Sequence, residues 1–243
     1  MKITVLTLFK DMYKGFLNVS IIHRILEKKL AEIEIIDIRD YSFDKHRHVD
    51  DTPYGGGAGM LMKVDVVHHA IKENSNDNTH VILTSPKASP LKQEDLIRLS
   101  KEEEILIICG HYEGIDYRIE KYLDEKVSIG DYILTGGELP SMVLIDGILR
   151  LLDEGISSDS LKEESFNNGL LEYPQYTRPV EYDGEKVPEV LQNGNHAEIR
   201  KYNLKMALKE TLIYRPDLLE NRQLTKEESK LLEEIKDELQ INE

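Results

Sequence analysis

The stretch Ser128-Ile129-Gly130-Asp131-Tyr132-Ile133-Leu134-Thr135-Gly136-Gly137-Glu138-Leu139-Pro140 enters as a strand end, turns through glycines and runs on into a helix. Glycine lets a backbone approach a ligand closely and adopt positive φ without a Cβ penalty. Beyond the turn, Met142, Val143, Ile145, Ile148, Leu149 and Leu152 recur at helical spacing, so a buried helix would anchor it. A lone Gly-Gly turn before a helix reads more readily as a tight structural bend than as a ligand site. Its company decides the matter. Val81-Ile82-Leu83-Thr84-Ser85-Pro86 and Ile105-Leu106-Ile107-Ile108-Cys109-Gly110-His111-Tyr112-Glu113-Gly114-Ile115-Asp116 are built alike, each a short apolar run ending in a polar turn. Continuous apolar runs of this length suit central parallel strands, and open α/β sheets bind ligands beyond the carboxyl ends of such strands. Three strand ends would therefore converge on one small-molecule pocket.

Working outward, Ile3 to Phe9 reads as a first strand, Ser20 to Leu30 as a helix and Ile33 to Ile38 as a second strand. Val64 to Glu73 reads as a helix, and Ser89-Pro90 as the N-cap and first residue of another that runs to about Ser100. A helix at Tyr117 to Leu123 and a strand at Lys126 to Ile129 complete the alternation. The expected class is α/β, a mainly parallel sheet with helices on both faces.

Composition sets bounds. The 243 residues carry 40% hydrophobic and 32% charged side chains, enough to bury a substantial core as one large domain or two small ones. No apolar run approaches the roughly 20 residues that cross a bilayer, and the amino terminus passes straight into a strand pattern, so no membrane association and a cytoplasmic location are expected. A formal charge of −15 argues against nonspecific coating of nucleic acid, which depends on Lys and Arg, but leaves room for a local cationic face. Cys109 is the only cysteine, so an internal disulfide and a cysteine-based zinc site are excluded, and its position at a strand end reads as small core filling. His46, His48, His68 and His69 lack a metal-ligand pattern with a third partner and read as surface or packing residues.

From Arg39 to Met60 regular periodicity lapses, and the run ends in Gly55-Gly56-Gly57-Ala58-Gly59-Met60. A loop of this length inside a compact domain is functional or unstructured, and it carries neither a Walker A sequence nor a dinucleotide fingerprint. Residues 155–168 are polar, small and acidic, the signal of a linker. The chain accordingly divides into a domain at 1–154, the linker at 155–168 and a helical domain at 169–243. In the last of these, Asn195 and Glu198 have capping-box spacing, Ala197, Leu204, Leu208 and Leu212 fall near one face, and Lys201, Lys205 and Lys209 repeat along another beside Arg200. Such a stripe is commonly a solvated face, but in an otherwise acidic chain it reads as a phosphate track.

Taken in order, GGGAGM, CGHYEGID, SIGDYILTGGELP, YTRPVEY and GNHAEIRK resemble the bacterial tRNA (guanine-N1)-methyltransferases, the TrmD family of the SPOUT class, over nearly the whole chain. The resemblance implies a deep trefoil knot in the first domain, a result that general topology rules would not predict. It implies S-adenosylmethionine bound by Thr84, Ser85, Pro86, Gly110, Tyr112, Glu113, Gly114, Ile129, Gly130, Tyr132, Ile133, Leu134, Gly136, Gly137 and Pro140. It further implies substrate contacts from Asp50 and Gly59, with Arg200, Lys201, Lys205 and Lys209 meeting the anticodon stem-loop of tRNA. Glu172, where many relatives carry aspartate, would be the general base, and Glu113 would hold a helper magnesium ion. A homodimer with a shared active site follows, the base coming from one subunit and the cofactor loops from the other. Lys162 is the only linker cation available to stabilise charge on guanine O6, and His111 stands where the family pattern has arginine. The implied reaction is methylation of N1 of guanosine 37. The competing readings are a SPOUT methyltransferase for another RNA position and a noncatalytic RNA-binding platform.

Overall fold

Hexameric runs rich in Ile, Val and Leu set the strand order. A computed structural model describes residues 1–152, 164–220 and 222–240. Strands β1 (Lys2–Thr7), β2 (Glu32–Asp37), β5 (Thr79–Thr84), β6 (Glu104–Cys109) and β7 (Glu125–Val127) form one parallel sheet in the order β2-β1-β6-β5-β7. Two-residue strands β3 (Asp50–Asp51) and β4 (Leu61–Met62) pair antiparallel and close the long loop between them. The central strand β6 buries both faces: Ile105, Ile107 and Cys109 point one way, Leu106 and Ile108 the other. The edge strand β2 alternates Glu32, Glu34 with Ile33, Ile35 instead, so one side of it meets water.

Each face carries its own helices. Tyr13 of α1 (Tyr13–Leu17), Ile22 and Ile25 of α2 (Ser20–Glu27), Leu99 of α4 (Gln93–Leu99) and Leu144, Ile145, Ile148 and Leu149 of α5 (Glu138–Leu149) pack on Ile3, Val5, Ile82 and Ile107. On the other face Val66, Val67, Ala70 and Ile71 of α3 (Val64–Asn74) cover Leu6, Val81, Leu83 and Ile108. The expected parallel sheet with helices on both faces is what the residues build.

The segment boundaries differ in instructive places. The helix expected from Ser89-Pro90 begins only at Gln93, because the backbone of residues 89–91 is engaged elsewhere: Ser89 O accepts from Ser128 N at 3.3 Å and Leu91 N donates to Ser128 O at 2.8 Å. Asp95 then accepts from Lys92 N at 2.9 Å and starts α4. For the same reason β7 stops at Val127 rather than Ile129. Tyr117–Tyr122 is a 3₁₀ turn rather than an α-helix, opened by Asp116, whose carboxylate accepts from Arg118 N at 2.9 Å. The helix expected to reach Leu30 ends at Glu27.

The chain divides into two compact units, Met1–Ile156 and Ser157–Glu243. In the second, helices His196–Tyr214 and Lys226–Leu239 meet through Ala207, Leu208, Leu231 and Ile235, with Leu170 closing the cluster. Thr225 and Glu228 form a reciprocal box with bonds of 2.7 and 3.2 Å, whereas only half of the expected box forms at the first helix: Asn195 Oδ1 accepts from Glu198 N at 3.4 Å, and the Glu198 carboxylate accepts instead from Asn193 Nδ2 at 3.1 Å. Ala197, expected on the core face, is exposed, because that face is carried by Leu204, Ala207, Leu208 and Thr211 further along. Most of the expected linker, with Lys162, lies outside the described residues.

Candidate active site

The carboxyl ends of β5, β6 and β7 are joined by their own backbones. Gly137 N donates to Gly110 O at 2.8 Å, His111 pairs with Gly136, and Ser85 N donates to Val127 O at 2.9 Å. Thr84 Oγ1 donates to Ile108 O at 3.1 Å and so locks the first loop to the second. This packing explains the glycine pair. A Cβ on Gly137 would collide with Thr84 Oγ1 and lie 2.7 Å from Cys109 Cα and 2.9 Å from Gly110 N; one on Gly136 would lie 2.8 Å from His111 Nδ1 and against the Glu138 carboxylate. Gly130, at φ +147°, makes room for the Tyr132 ring, whose hydroxyl donates back to Ile129 O at 3.2 Å.

Between these loops opens a cavity of about 580 Å³, within the size range of small-molecule sites. Every strand-end residue expected to bind the cofactor, from Thr84 to Pro140, lies on its wall. Gly110 and Gly114 leave the wall bare backbone: a Cβ at Gly114 would meet nothing within 4 Å, and one at Gly110 only ordinary contacts. Tyr112 holds φ +58°, a left-handed conformation that a bulky side chain rarely adopts and that commonly marks a functional site.

The long loop reaches the same wall. Glu113 N donates to Met60 O at 3.0 Å, Met62 N to Gly114 O at 2.9 Å and Asp116 N to Met62 O at 3.0 Å. Gly59 is needed for this docking, because the Glu113 side chain occupies the space a Cβ would take. Asp50 sits opposite Met62 in the short ladder. Glu113 and Glu120 are the carboxylates of the cavity wall, and no group of three His, Cys, Asp or Glu suited to a metal ion occurs among the described residues. A magnesium ion would have to bring most of its ligands with it as water and substrate oxygens.

Behind the cavity lies a buried polar network that sequence reading missed. Glu138, 3% exposed, accepts from Thr7 Oγ1 at 2.8 Å, and Tyr13 Oη contacts Ser141 Oγ at 2.5 Å and Cys109 Sγ at 3.3 Å. Burial pushes the Cys109 thiol up to about 12, and burial together with the neighbouring thiol raises the Tyr13 phenol as well. These groups stay protonated at neutral pH and act as structural hydrogen-bonding groups. His46 and His48 are exposed, whereas His68 stacks on Tyr122 at 3.6 Å and His69 on Phe43 at 4.7 Å.

In the second unit Glu172 follows Gly169-Leu170-Leu171 and is held on both sides. Leu171 N donates to Thr211 Oγ1 and Glu172 N to Ser165 Oγ, each at 2.9 Å, and Gln175 Nε2 donates to the Glu172 carboxylate. The cationic stripe is less free than its spacing suggests. Lys205 is clasped by Glu234 at 3.3 Å and Glu238 at 2.7 Å, and Arg200 by Glu227 at 2.9 Å. Lys205 adjoins Leu204 and Leu208 at the helix seam, so its amine meets the acidic flank of the neighbouring helix. Arg215 and Arg222 are likewise paired, with Asp217 at 2.7 Å and Glu228 at 2.6 Å. Lys201 shows no such partner among the described residues.

A family model described as tRNA (Guanine-1)-methyltransferase TrmD matches residues 1–221. The chain is 52% identical to a protein of Lactobacillus johnsonii over 98% of this chain and 99% of that one. It is 52% identical to one of Fusobacterium nucleatum over 98% and 99%, and 47% identical to one of Dictyoglomus turgidum over 98% of each. All three carry the name tRNA (guanine-N(1)-)-methyltransferase.

Proposed function

This chain belongs to the tRNA (guanine-1)-methyltransferase TrmD family, and from that premise we propose the particulars of its reaction. It is an enzyme that methylates N1 of a guanine in tRNA. We propose that the guanine is nucleotide 37, next to the anticodon, and that the donor is S-adenosylmethionine held in the strand-end cavity. The observation that carries this reading is the cavity itself: bare backbone at Gly110 and Gly114 beside apolar walls at Ile129, Ile133, Leu134 and Pro140. Exposed backbone N–H and C=O groups suit the edge of an adenine, and the apolar walls exclude water from a reactive centre. S-adenosylmethionine, when bound, supplies an electrophilic methyl group on a sulfonium.

Glu172 serves as the general base. A Glu172 carboxylate oxygen would take the guanine N1 proton as N1 gains the methyl group, and the methyl–sulfur bond of the donor would break to leave the neutral thioether S-adenosylhomocysteine. Gln175 orients that carboxylate, and the bonds from Leu171 to Thr211 and from Glu172 to Ser165 fix the backbone that carries it. Glu172 reaches the cavity of a partner subunit, so the working enzyme is a homodimer. Asp50 and Gly59 meet the substrate nucleotide from the long loop, and Lys201 and Lys209 meet tRNA phosphates. The catalytic unit is knotted, the chain after β7 passing through the loop that follows β5; the bonds of Ser128 to both Ser89 and Leu91 support this threading. Residues 155–168 link this unit to the helical, tRNA-binding one. The enzyme meets tRNA in the cytoplasm; among the described residues no helix is long and apolar enough to cross a membrane.

The test is single-turnover methyl transfer by Glu172→Gln, which keeps shape and removes the base. Transfer should fall about 10²- to 10⁴-fold with S-adenosylhomocysteine affinity unchanged. Undiminished transfer would refute the assignment.

A further inference from the structure

The cavity does not end at the glycine loops. It continues toward the sheet edge, where Leu61, Leu83, Ile115 and Ile119 line it together with Glu120 and Lys126. Lys126 sits mid-strand in β7, opposite Leu83 of β5, while its neighbour Val127 belongs to the core on the opposite face. Glu120 comes from the 3₁₀ turn Tyr117–Tyr122, beside Ile119, which is 1% exposed. Lys126 Nζ donates to Glu120 Oε1 at 2.8 Å, and the two side chains are 28% and 32% exposed.

An ion pair six residues apart in sequence has a plain structural reading, a staple across the turn between two elements. Such pairs contribute little to stability. Its position argues for more. It is the only ion pair between two residues of the cavity wall among the described residues, and it shares that wall with the aliphatic side chains of Leu61, Leu83, Ile115 and Ile119. In such surroundings charge complementarity is screened less than at an open surface. Because the two groups satisfy each other, neither is left unpaired when the cavity is empty of ligand.

We propose that Glu120 and Lys126 receive the amino-acid end of the methyl donor, its α-ammonium on Glu120 and its α-carboxylate on Lys126. This rests on the reading of the cavity as the donor site. The amino-acid end is a zwitterion, one positive and one negative group joined through a single carbon. A preformed pair of opposite charges at 2.8 Å is its complement, and a zwitterion docked head to tail gives each of the four charges an opposite neighbour. The glycine loops would then read the nucleoside and this pair the amino acid, with the reactive sulfur between.

The experiment is calorimetric titration of the wild type, Glu120→Gln and Lys126→Met with two ligands. S-adenosylhomocysteine carries the amino-acid end; 5′-methylthioadenosine lacks it. Each variant should lose about tenfold or more in affinity for the first and stay within about twofold for the second. Decarboxylated S-adenosylmethionine separates the roles, since its binding should depend on Glu120 and no longer on Lys126. Unchanged affinity for S-adenosylhomocysteine in both variants would overturn the proposal. So would a parallel loss for both ligands, which would return the pair to a structural staple. Failure of the wild type to bind either ligand would instead overturn the donor-site reading on which the proposal stands.

Discussion

Replacing Gly137 by alanine tests the joint on which the cavity is built. The added Cβ would run into Thr84 Oγ1 and lie 2.7 Å from Cys109 Cα and 2.9 Å from Gly110 N. Two of these three atoms are backbone, one in the central strand β6 and one just past its end, so a rotamer change relieves only the contact with Thr84. Inserting a methyl group into packed surroundings typically costs about 1–3 kcal/mol, and backbone neighbours place this site at the upper end. For a chain of this length each kcal/mol lowers Tm by about 2–4 °C, so a fall of about 6–12 °C is expected. The strain falls on the hydrogen bond from Gly137 N to Gly110 O, which holds two cavity loops together, so S-adenosylhomocysteine affinity should fall by at least about tenfold as well. Differential scanning fluorimetry and calorimetry read the two quantities. Gly15→Ala is the control: a Cβ there meets nothing within 4 Å, and the substitution should leave Tm unchanged or raise it. A Gly137→Ala protein with the wild-type Tm and wild-type affinity would refute the packing argument.

Changing Lys201 and Lys209 together to alanine should reduce the slope of log K against log salt for tRNA binding by about 2, whereas Lys205→Ala should leave the slope alone and lower Tm by freeing Glu234 and Glu238. Equal effects on the slope would refute the division of the stripe. Cys109 should resist an aromatic disulfide reagent at pH 8 until the protein unfolds, since it is fully buried and its thiol is raised to about 12; stoichiometric reaction of the native protein within seconds would contradict this. Glu228 is buried, which raises its pKa, but hydrogen bonds from Thr225 and Arg222 outweigh burial and hold it below the ordinary value of 4.5. Its contribution to stability is therefore complete above 4.5 and lost as pH falls through the lowered folded value. Helical circular dichroism against urea at pH 3 to 6 should show Glu228→Gln losing less stability on acidification than the wild type, and identical acid slopes would contradict it.

Much of the catalytic unit was legible because its signals are local. An unbroken apolar run such as Ile105 to Cys109 has one ready place, the centre of a parallel sheet, and glycine-bearing turns at strand ends follow from that placement. What was not legible depends on distant partners. Ser128 bonds to Ser89 and Leu91 across nearly forty residues of chain, and that pairing, invisible to periodicity, moves the start of α4 and the end of β7. Nothing in the spacing around Glu138 marks it as a core residue, yet it is buried and accepts from Thr7 at the other end of the domain. Lysines at four-residue spacing looked free because sequence spacing shows which side of a helix they share, not which acidic helix lies beside it. The fifteen-residue cofactor set and Glu172 came from resemblance rather than from pattern, and Glu120 and Lys126 escaped both, since a turn and a mid-strand position carry no glycine signature.

The central claim is that this chain places a methyl group on N1 of guanosine 37, drawing it from S-adenosylmethionine. Its most direct test supplies methyl-labelled donor and two tRNA transcripts that differ only in carrying guanosine or adenosine at position 37, followed by nucleoside analysis of the product. The account predicts label as 1-methylguanosine in the guanosine transcript alone. Label at equal yield in both transcripts, or none in either, would contradict it.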